Sequence, residues 1–291
     1  MGTRTTTITV ADRHEDDAPV TLFCTDTATT GDTDTVTDVA TAPPLLLLHG
    51  LAGHCGEWEE LTARFADRHR VVAFDARGGG ASTRRPVDVS RAAHVRDVTE
   101  VVRAFGLAAA GGPVLVGQSM GGVTALLTAA AHPELVRALV LIEAGPDGPS
   151  PSLPETIGTW LDSWPVPFPD AGAAAAFFGG GAAGRAWAAG LAPGPDGLYP
   201  RVDRDVMVAT VQENAERDYW DAWDEVRCPV LVVRAGKGML KQREADRMAE
   251  RHGTTRIAVV PEAGHDVHLD DPAAVYGEMA AFLAEVAGQG R

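Results

Sequence analysis

The chain has little of what would tie it to a disulfide scaffold, a nucleic acid or a membrane. Cysteine is scarce: Cys24, Cys55 and Cys228 are the three in 291 residues, an odd number at wide spacing that suits neither a disulfide framework nor a zinc site. A reducing, cytoplasmic compartment is the resulting expectation. Basic residues are outnumbered, with 25 Lys and Arg against 40 Asp and Glu and a formal net charge of −15 at pH 7. So acidic a surface repels phosphate backbones and anionic head groups, which argues against nucleic acid and membrane partners. No apolar run approaches the ~18 residues of a spanning helix, and the opening Met1–Thr6 has no signal-like apolar stretch. Gly2 followed by Thr6 fits the loose N-myristoylation pattern, a string common by chance. What remains is a composition of 45% apolar and 22% charged residues, that of a globule able to bury a core. The length suits one α/β core with an insert.

Residues 5–10 and 20–24 alternate or are β-branched and predict two N-terminal antiparallel strands. The Thr/Asp/Gly-rich stretch 25–44 lacks periodicity and predicts a mobile loop. From Leu45 onward, wholly apolar runs at 45–48, 71–74, 114–116, 139–142, 230–233 and 257–260 alternate with helical stretches near 57–68, 91–105, 120–131, 240–252 and 272–287. Strands without polar alternation are buried on both faces. The expected fold is therefore α/β: a mostly parallel, doubly wound sheet of about eight strands with helices on both sides. Residues 146–225 break the rhythm with prolines, an Ala/Gly tract at 171–192 expected to be only moderately ordered, and five of the six tryptophans. They predict a helical cap inserted into a core made of residues 1–145 and 226–291.

In an open parallel sheet, ligands bind beyond the carboxyl ends of the strands. There the sequence places His49-Gly50-Leu51-Ala52-Gly53-His54, Asp75, Gly117-Gln118-Ser119-Met120-Gly121, Glu143 and His265, each in the stretch that follows an expected strand. Gly-x-Ser-x-Gly between a buried strand and a helix is the most specific of these. A serine on so tight a turn needs small residues two positions either side, and the helix N-terminus that follows can stabilise an oxyanion. The alternatives are a serine that only caps the helix, or a dinucleotide loop, which here lacks the middle glycine. An unaided serine is a weak nucleophile, and His265, on a glycine-flanked loop after the last strand, is the candidate base. His268 with Asp266, Asp270 and Asp271 has no metal-ligand spacing. The three aspartates predict a solvated, helix-capping cluster, and neither a metal nor a cofactor is implied.

With these motifs in this order, the chain from about residue 45 to 287 resembles the α/β-hydrolase superfamily. The resemblance implies Ser119 as nucleophile, His265 as general base and then acid, and the backbone N–H groups of Leu51 and Met120 as oxyanion hole, with His49 and Gly50 shaping that loop. Gly79 stands where such proteins often carry His. A larger departure lies after the 230–233 strand, where the family usually supplies its triad acid. Here the sequence reads Arg234-Ala235-Gly236-Lys237-Gly238-Met239, and by the family's spacing Gly238 takes the acid's position. Glu143, at the end of the preceding strand, keeps the chain order Ser…Glu…His and is the candidate acid. Against it stand a purely structural role in the 144–149 turn, an arginine pairing, or Asp147 or Asp224 in its place.

Ser119 excludes dehalogenase chemistry, which needs an aspartate nucleophile. The expected activity is hydrolysis of a carboxylic ester or lactone of a fairly apolar small molecule through an acyl-enzyme. Two readings compete: a receptor-like member that binds but scarcely turns over, favoured by the glycine at 238, and cofactor-free lyase or oxygenase chemistry using His265 as base. Trp160, Trp164, Trp187, Trp220 and Trp223 are candidates for lining the substrate pocket or for packing within the cap. A basic pocket around Arg77 and Arg84 would override the acidic net charge locally. No oligomeric state follows from the sequence.

Overall fold

The computed structural model describes residues 2–12, 18–28 and 42–288. Its strands are β1 (Arg4–Val10), β2 (Val20–Asp26), β3 (Leu45–Leu48), β4 (Val71–Phe74), β5 (Val114–Gln118), β6 (Ala138–Ile142), a short hairpin β7 (Ala192–Gly194) and β8 (Gly197–Tyr199), then β9 (Val230–Ala235) and β10 (Thr255–Val260). Eight of them form one sheet in the order β1-β2-β4-β3-β5-β6-β9-β10. β2 is antiparallel to both β1 and β4, and the other pairings are parallel.

The unbroken apolar runs are explained by two cores, one on each side of the sheet. Along β3, Leu46 and Leu48 join one core while Leu45 and Leu47 join the other. β5, β6 and β9 divide their residues in the same alternating way, as the period of two along a strand requires. The first core is covered by α2 (Arg91–Ala104), α3 (Met120–Ala131), α9 (Trp220–Glu225) and α10 (Gln242–Arg251). The second is covered by α1 (Glu59–Phe65) and α12 (Pro272–Gly288).

β2 runs two residues further than the sequence predicts. Thr25 faces Ala73, and buried Asp26 is held by the guanidinium of Arg70, with Nε at 3.0 Å and Nη2 at 2.8 Å. That pairing offsets the cost of placing a carboxylate in a strand. Of the rest of the expected loop, residues 29–41 lie outside the described residues.

Between β6 and β9 the chain forms α4 (Leu153–Asp162), α5 (Ala171–Phe177), α6 (Gly181–Ala189), α7 (Arg204–Thr210) and α8 (Gln212–Glu216) before α9. The Ala/Gly tract folds into the packed pair α5 and α6, contrary to the looser order expected of it. Gly179, Gly180 and Gly181 make the turn between them, each with φ between +63° and +89°, a region open to glycine at little steric cost. Trp164, Phe168, Ala174, Ala188 and Leu191 form a third, separate apolar cluster.

Candidate active site

Ser119 sits on the turn from β5 to α3 at φ +50°, ψ −118°, a conformation that costs energy for any L-residue and concentrates at functional turns. The flanking glycines are sterically required. A Cβ on Gly117 would lie 2.4 Å from the Gly121 carbonyl oxygen, and one on Gly121 would lie 2.3 Å from that of Leu48. The Ser119 amide is anchored to the Ile142 carbonyl at 2.9 Å, and the amides of Leu51 and Met120 donate to no acceptor among the described residues.

The loop carrying Leu51 is held by His49. Its Nε2 accepts from the Ala76 amide at 2.9 Å, so the proton is on Nδ1, which donates to the Gly50 carbonyl at 2.7 Å. A Cβ on Gly50 would collide with Gln118 Oε1 at 2.2 Å, and Gln118 Nε2 in turn donates to the His265 carbonyl at 3.2 Å. Gln118 thus braces the serine turn against the histidine loop, a role that its position inside the Gly-x-Ser-x-Gly string conceals in the sequence.

Glu143 leaves β6 at φ +51° with a buried side chain. Its Oε1 accepts from the Ala235 amide at 2.7 Å, and Oε2 accepts from the Met239 and Leu240 amides at 2.6 and 3.2 Å and from His265 Nδ1 at 3.3 Å. Burial alone would raise its pKa, but the bonds from His265 and the three amides outweigh that and hold the carboxyl below its ordinary value. The loop it occupies is the one after β9. A Cβ at Gly238 would lie 2.1 Å from Glu143 Oε2, so the volume left by the missing side chain at 238 is filled by the carboxylate from the neighbouring strand. Neither rival acid reaches His265: Asp147 accepts from Trp220 Nε1 at 3.0 Å, and Asp224 is paired with Arg251.

The loop after His265 differs from expectation. Asp271 does cap α12 through the Ala274 amide at 2.9 Å, and Asp270 accepts from the Gly264 amide at 2.8 Å. Asp266, however, accepts from Trp187 Nε1 at 2.8 Å and from Gln118 Nε2 at 3.4 Å, tying α6 to the site. His268, on the short helix α11 (Val267–Asp270), is buried against Trp58, with ring centres 4.5 Å apart. Burial pushes it down to about 4 and pushes Glu57, 3.7 Å away, up to about 7, and both side chains stay out of solvent. Among the described residues no group of three or more His, Cys, Asp or Glu is arranged to hold a metal.

A space of about 490 Å³, open to solvent, lies at the Leu51 and Met120 amides and is lined by these two residues, Phe74, His94, Met207 and Thr210 among others. On the other side of the Leu51 loop, Trp164 and Trp187 line a smaller space of about 290 Å³ with Ala52 and His54. Trp160 packs edge-on against both indoles at 5.0 and 5.8 Å. Trp220 and Trp223 are not brought to the site. Trp220 lies beneath the Arg247 guanidinium at 3.9 Å, and Trp223 donates to the Met248 carbonyl at 3.2 Å, because their spacing along α9 turns both toward the main core. Nor do Arg77 and Arg84 make a basic pocket. Arg77 is neutralised by Asp97 and Asp12, and Arg84 donates to the Val202 carbonyl.

The Ser119 turn, His265 backed by the buried Glu143 carboxylate, and the Leu51 and Met120 amides, which have no acceptor among the described residues, gather at the carboxyl edge of a mostly parallel sheet, an arrangement suited to hydrolysis. Residues 45–278 match the model of the alpha/beta hydrolase family, and the chain belongs to that family. It is 28% identical over 245 residues to 2-(acetamidomethylene)succinate hydrolase of Mesorhizobium japonicum, covering 81% of this chain and 86% of that one. It is 38% identical over 114 residues to an sn-1-specific diacylglycerol lipase of Mus musculus, a match covering 38% of this chain and 36% of the lipase. The crystal structure of E-2-(acetamidomethylene)succinate hydrolase superposes with a TM-score of 0.80 at 23% identity, covering 97% of this chain and all of that one.

Proposed function

We propose that this hydrolase cleaves a carboxylic ester or lactone through an acyl-enzyme on Ser119, with His265 as base and Glu143 as the triad acid. The observation that carries the reading is the fit of the Glu143 carboxylate into the gap at Gly238, where it holds His265 Nδ1. With Nδ1 donating to Glu143, Nε2 is the ring atom left to take the Ser119 proton. The Ser119 oxygen adds to the substrate carbonyl, and the Leu51 and Met120 amides stabilise the resulting oxyanion. Collapse breaks the carbonyl–oxygen bond, and His265 gives its proton to the departing alkoxide. Water, deprotonated by His265, then adds to the acyl-enzyme, releases the carboxylic acid and returns the proton to Ser119. A lactone follows the same path and yields one hydroxy acid.

In this reading residues 146–225 act as the cap, and Trp164 and Trp187 offer apolar surface to the substrate. The lipase among the relatives is an ester hydrolase by name, which supports ester chemistry at this type of site. The test is labelling by a fluorophosphonate, followed by intact mass and peptide mapping, for wild type and Glu143→Gln. Fast labelling confined to Ser119 in wild type, slowed about 10²–10⁴-fold in the variant, is the expected result. An unlabelled wild-type serine would overturn the acyl-enzyme, and equal labelling of both proteins would remove Glu143 from the triad.

A further inference from the structure

The space beside the oxyanion amides ends on buried His94 of α2, and Arg91, one turn earlier on the same helix, lies behind its lining residues Met120, Thr124 and Thr210; the hydrolytic mechanism has no use for either side chain. Arg91 and His94 are three residues apart and so share a face of the helix. They are 2% and 6% exposed.

Arg91 is poorly served where it stands. Its Nη1 donates to the Met120 sulfur at 2.9 Å and to Thr124 Oγ1 at 3.3 Å, its Nη2 donates to the Thr210 carbonyl at 3.0 Å, and its Nε has no partner. A thioether is a weak acceptor. Glu213 accepts from the Arg91 backbone amide at 2.8 Å and pairs through its other oxygen with Arg217, so among the described residues no carboxylate meets the guanidinium. Burial accordingly pushes Arg91 down to about 10, offset only in part by Tyr219 and Glu213, which still leaves it cationic at neutral pH.

His94 lines the space, and its Nε2 also lacks a partner. Burial and the neighbouring charges of Arg91 and Arg77 keep it neutral. The contrast with Arg77 is informative, since that equally buried guanidinium is matched by Asp97 and Asp12. Buried charges are ordinarily paired, and a fork of N–H donors beside an imidazole lacks only a carboxylate.

We propose that Arg91 and His94 receive a free carboxylate of the substrate, making this enzyme selective for esters or lactones that carry a second, ionised acid group. The proposal names the substrate class for the hydrolytic reading above and rests on it. Met120 has a flexible side chain. When its thioether moves aside, one carboxylate oxygen replaces it as acceptor for Arg91 Nη1 in a charge-assisted bond, and the other accepts from His94 in its Nε2–H tautomer. The Met120 amide stays at the oxyanion position, so the acid group is held a short distance from the reacting carbonyl.

The experiment compares two substrates that differ only in that charge: the mono-4-nitrophenyl ester of adipic acid and its methyl-capped counterpart, 4-nitrophenyl methyl adipate. Wild type is expected to favour the free acid by at least ~10-fold in kcat/KM. Arg91→Met is expected to abolish that preference, read as the ratio of the two kcat/KM values within each protein, with His94→Leu intermediate. A wild-type ratio near one, or a preference for the capped ester, overturns the proposal. If Arg91→Met does not fold, His94→Leu decides by the same ratio. Failure of the hydrolytic reading is distinguishable, because it shows as an unlabelled Ser119 with neither ester cleaved. In that case adipate itself is the probe: it must raise the melting temperature of wild type more than that of His94→Leu, and equal shifts overturn the carboxylate site.

Discussion

Glu143 and Gly238 are one device made of two residues that lie far apart in sequence. The carboxylate accepts from three amides and one imidazole and makes no donor contact, so an amide side chain there would set NH₂ against N–H. Glu143→Gln is therefore expected to lose about 1–3 kcal/mol of stability as well as activity, and urea unfolding beside the labelling assay separates the two. Gly238→Ala should be nearly as damaging, since its Cβ would lie 2.1 Å from Oε2. The paired change Glu143→Gly with Gly238→Asp should recover at least ~10-fold of the ester hydrolysis that Glu143→Gly alone loses, because it returns a carboxylate to the same space. No recovery, in a double variant that folds, would mean that the carboxylate's origin matters as well as its place. Ser119 and His265 were legible from local motifs, and Glu143 from chain order once position 238 proved vacant. That the vacancy and the carboxylate share one volume was not legible, because it depends on how two strand-end loops meet. The same holds for Arg91 and His94, which nothing in the 91–105 helical stretch sets apart from its other residues.

At the scale of elements, the strands were readable because each apolar run feeds two cores at once, a pattern that a half-exposed strand or a helix would not produce. The 146–225 stretch was readable as helical but not in its allegiances. Trp220 and Trp223 stand in the same Trp-rich stretch as Trp187, yet α9 returns them to the face shared with α3. Trp223→Ala is accordingly expected to cost about 3–5 kcal/mol of stability while the folded fraction keeps its specific activity, as read by urea unfolding and active-site titration. Trp187 should behave in the opposite way. Its indole N–H bonds Asp266, next to His265, so Trp187→Phe should lower stability by only about 1 kcal/mol and still reduce kcat/KM several-fold. Trp160→Phe, which breaks no such bond, provides the control. If the two variants were equally active, α6 would have no hold on the histidine loop.

For the whole molecule, acidity and burial act together on stability. The net charge of −15 makes self-repulsion grow with pH, and buried Glu244 adds a local contribution of the same sign. Its Oε1 accepts from the Asp147 amide at 3.0 Å. Burial pushes its carboxyl up to about 7, reinforced by the charges of Asp147 and Glu143 and opposed by the Asp147 amide and Arg243. A raised carboxyl keeps its proton in the folded chain after the unfolded chain has released it, so stability falls as pH rises through the interval from about 4.5 to about 7. Buried His69 and His94 and half-buried His252 work the other way. Their depressed values mean that stability falls as pH drops through the ordinary histidine range, leaving a maximum near mild acidity. Glu244→Gln keeps an oxygen for the Asp147 amide and removes the ionisation. Its stability relative to wild type should therefore be near zero at pH 5 and rise to at most about 3 kcal/mol at pH 8, measured by urea unfolding. Salt separates the two causes. Sodium chloride should relieve the long-range repulsion in both proteins alike, whereas the difference between them, which arises in a buried pocket, should persist. A constant offset at both pH values, or a difference abolished by salt, would show that Glu244 is not held protonated inside the fold.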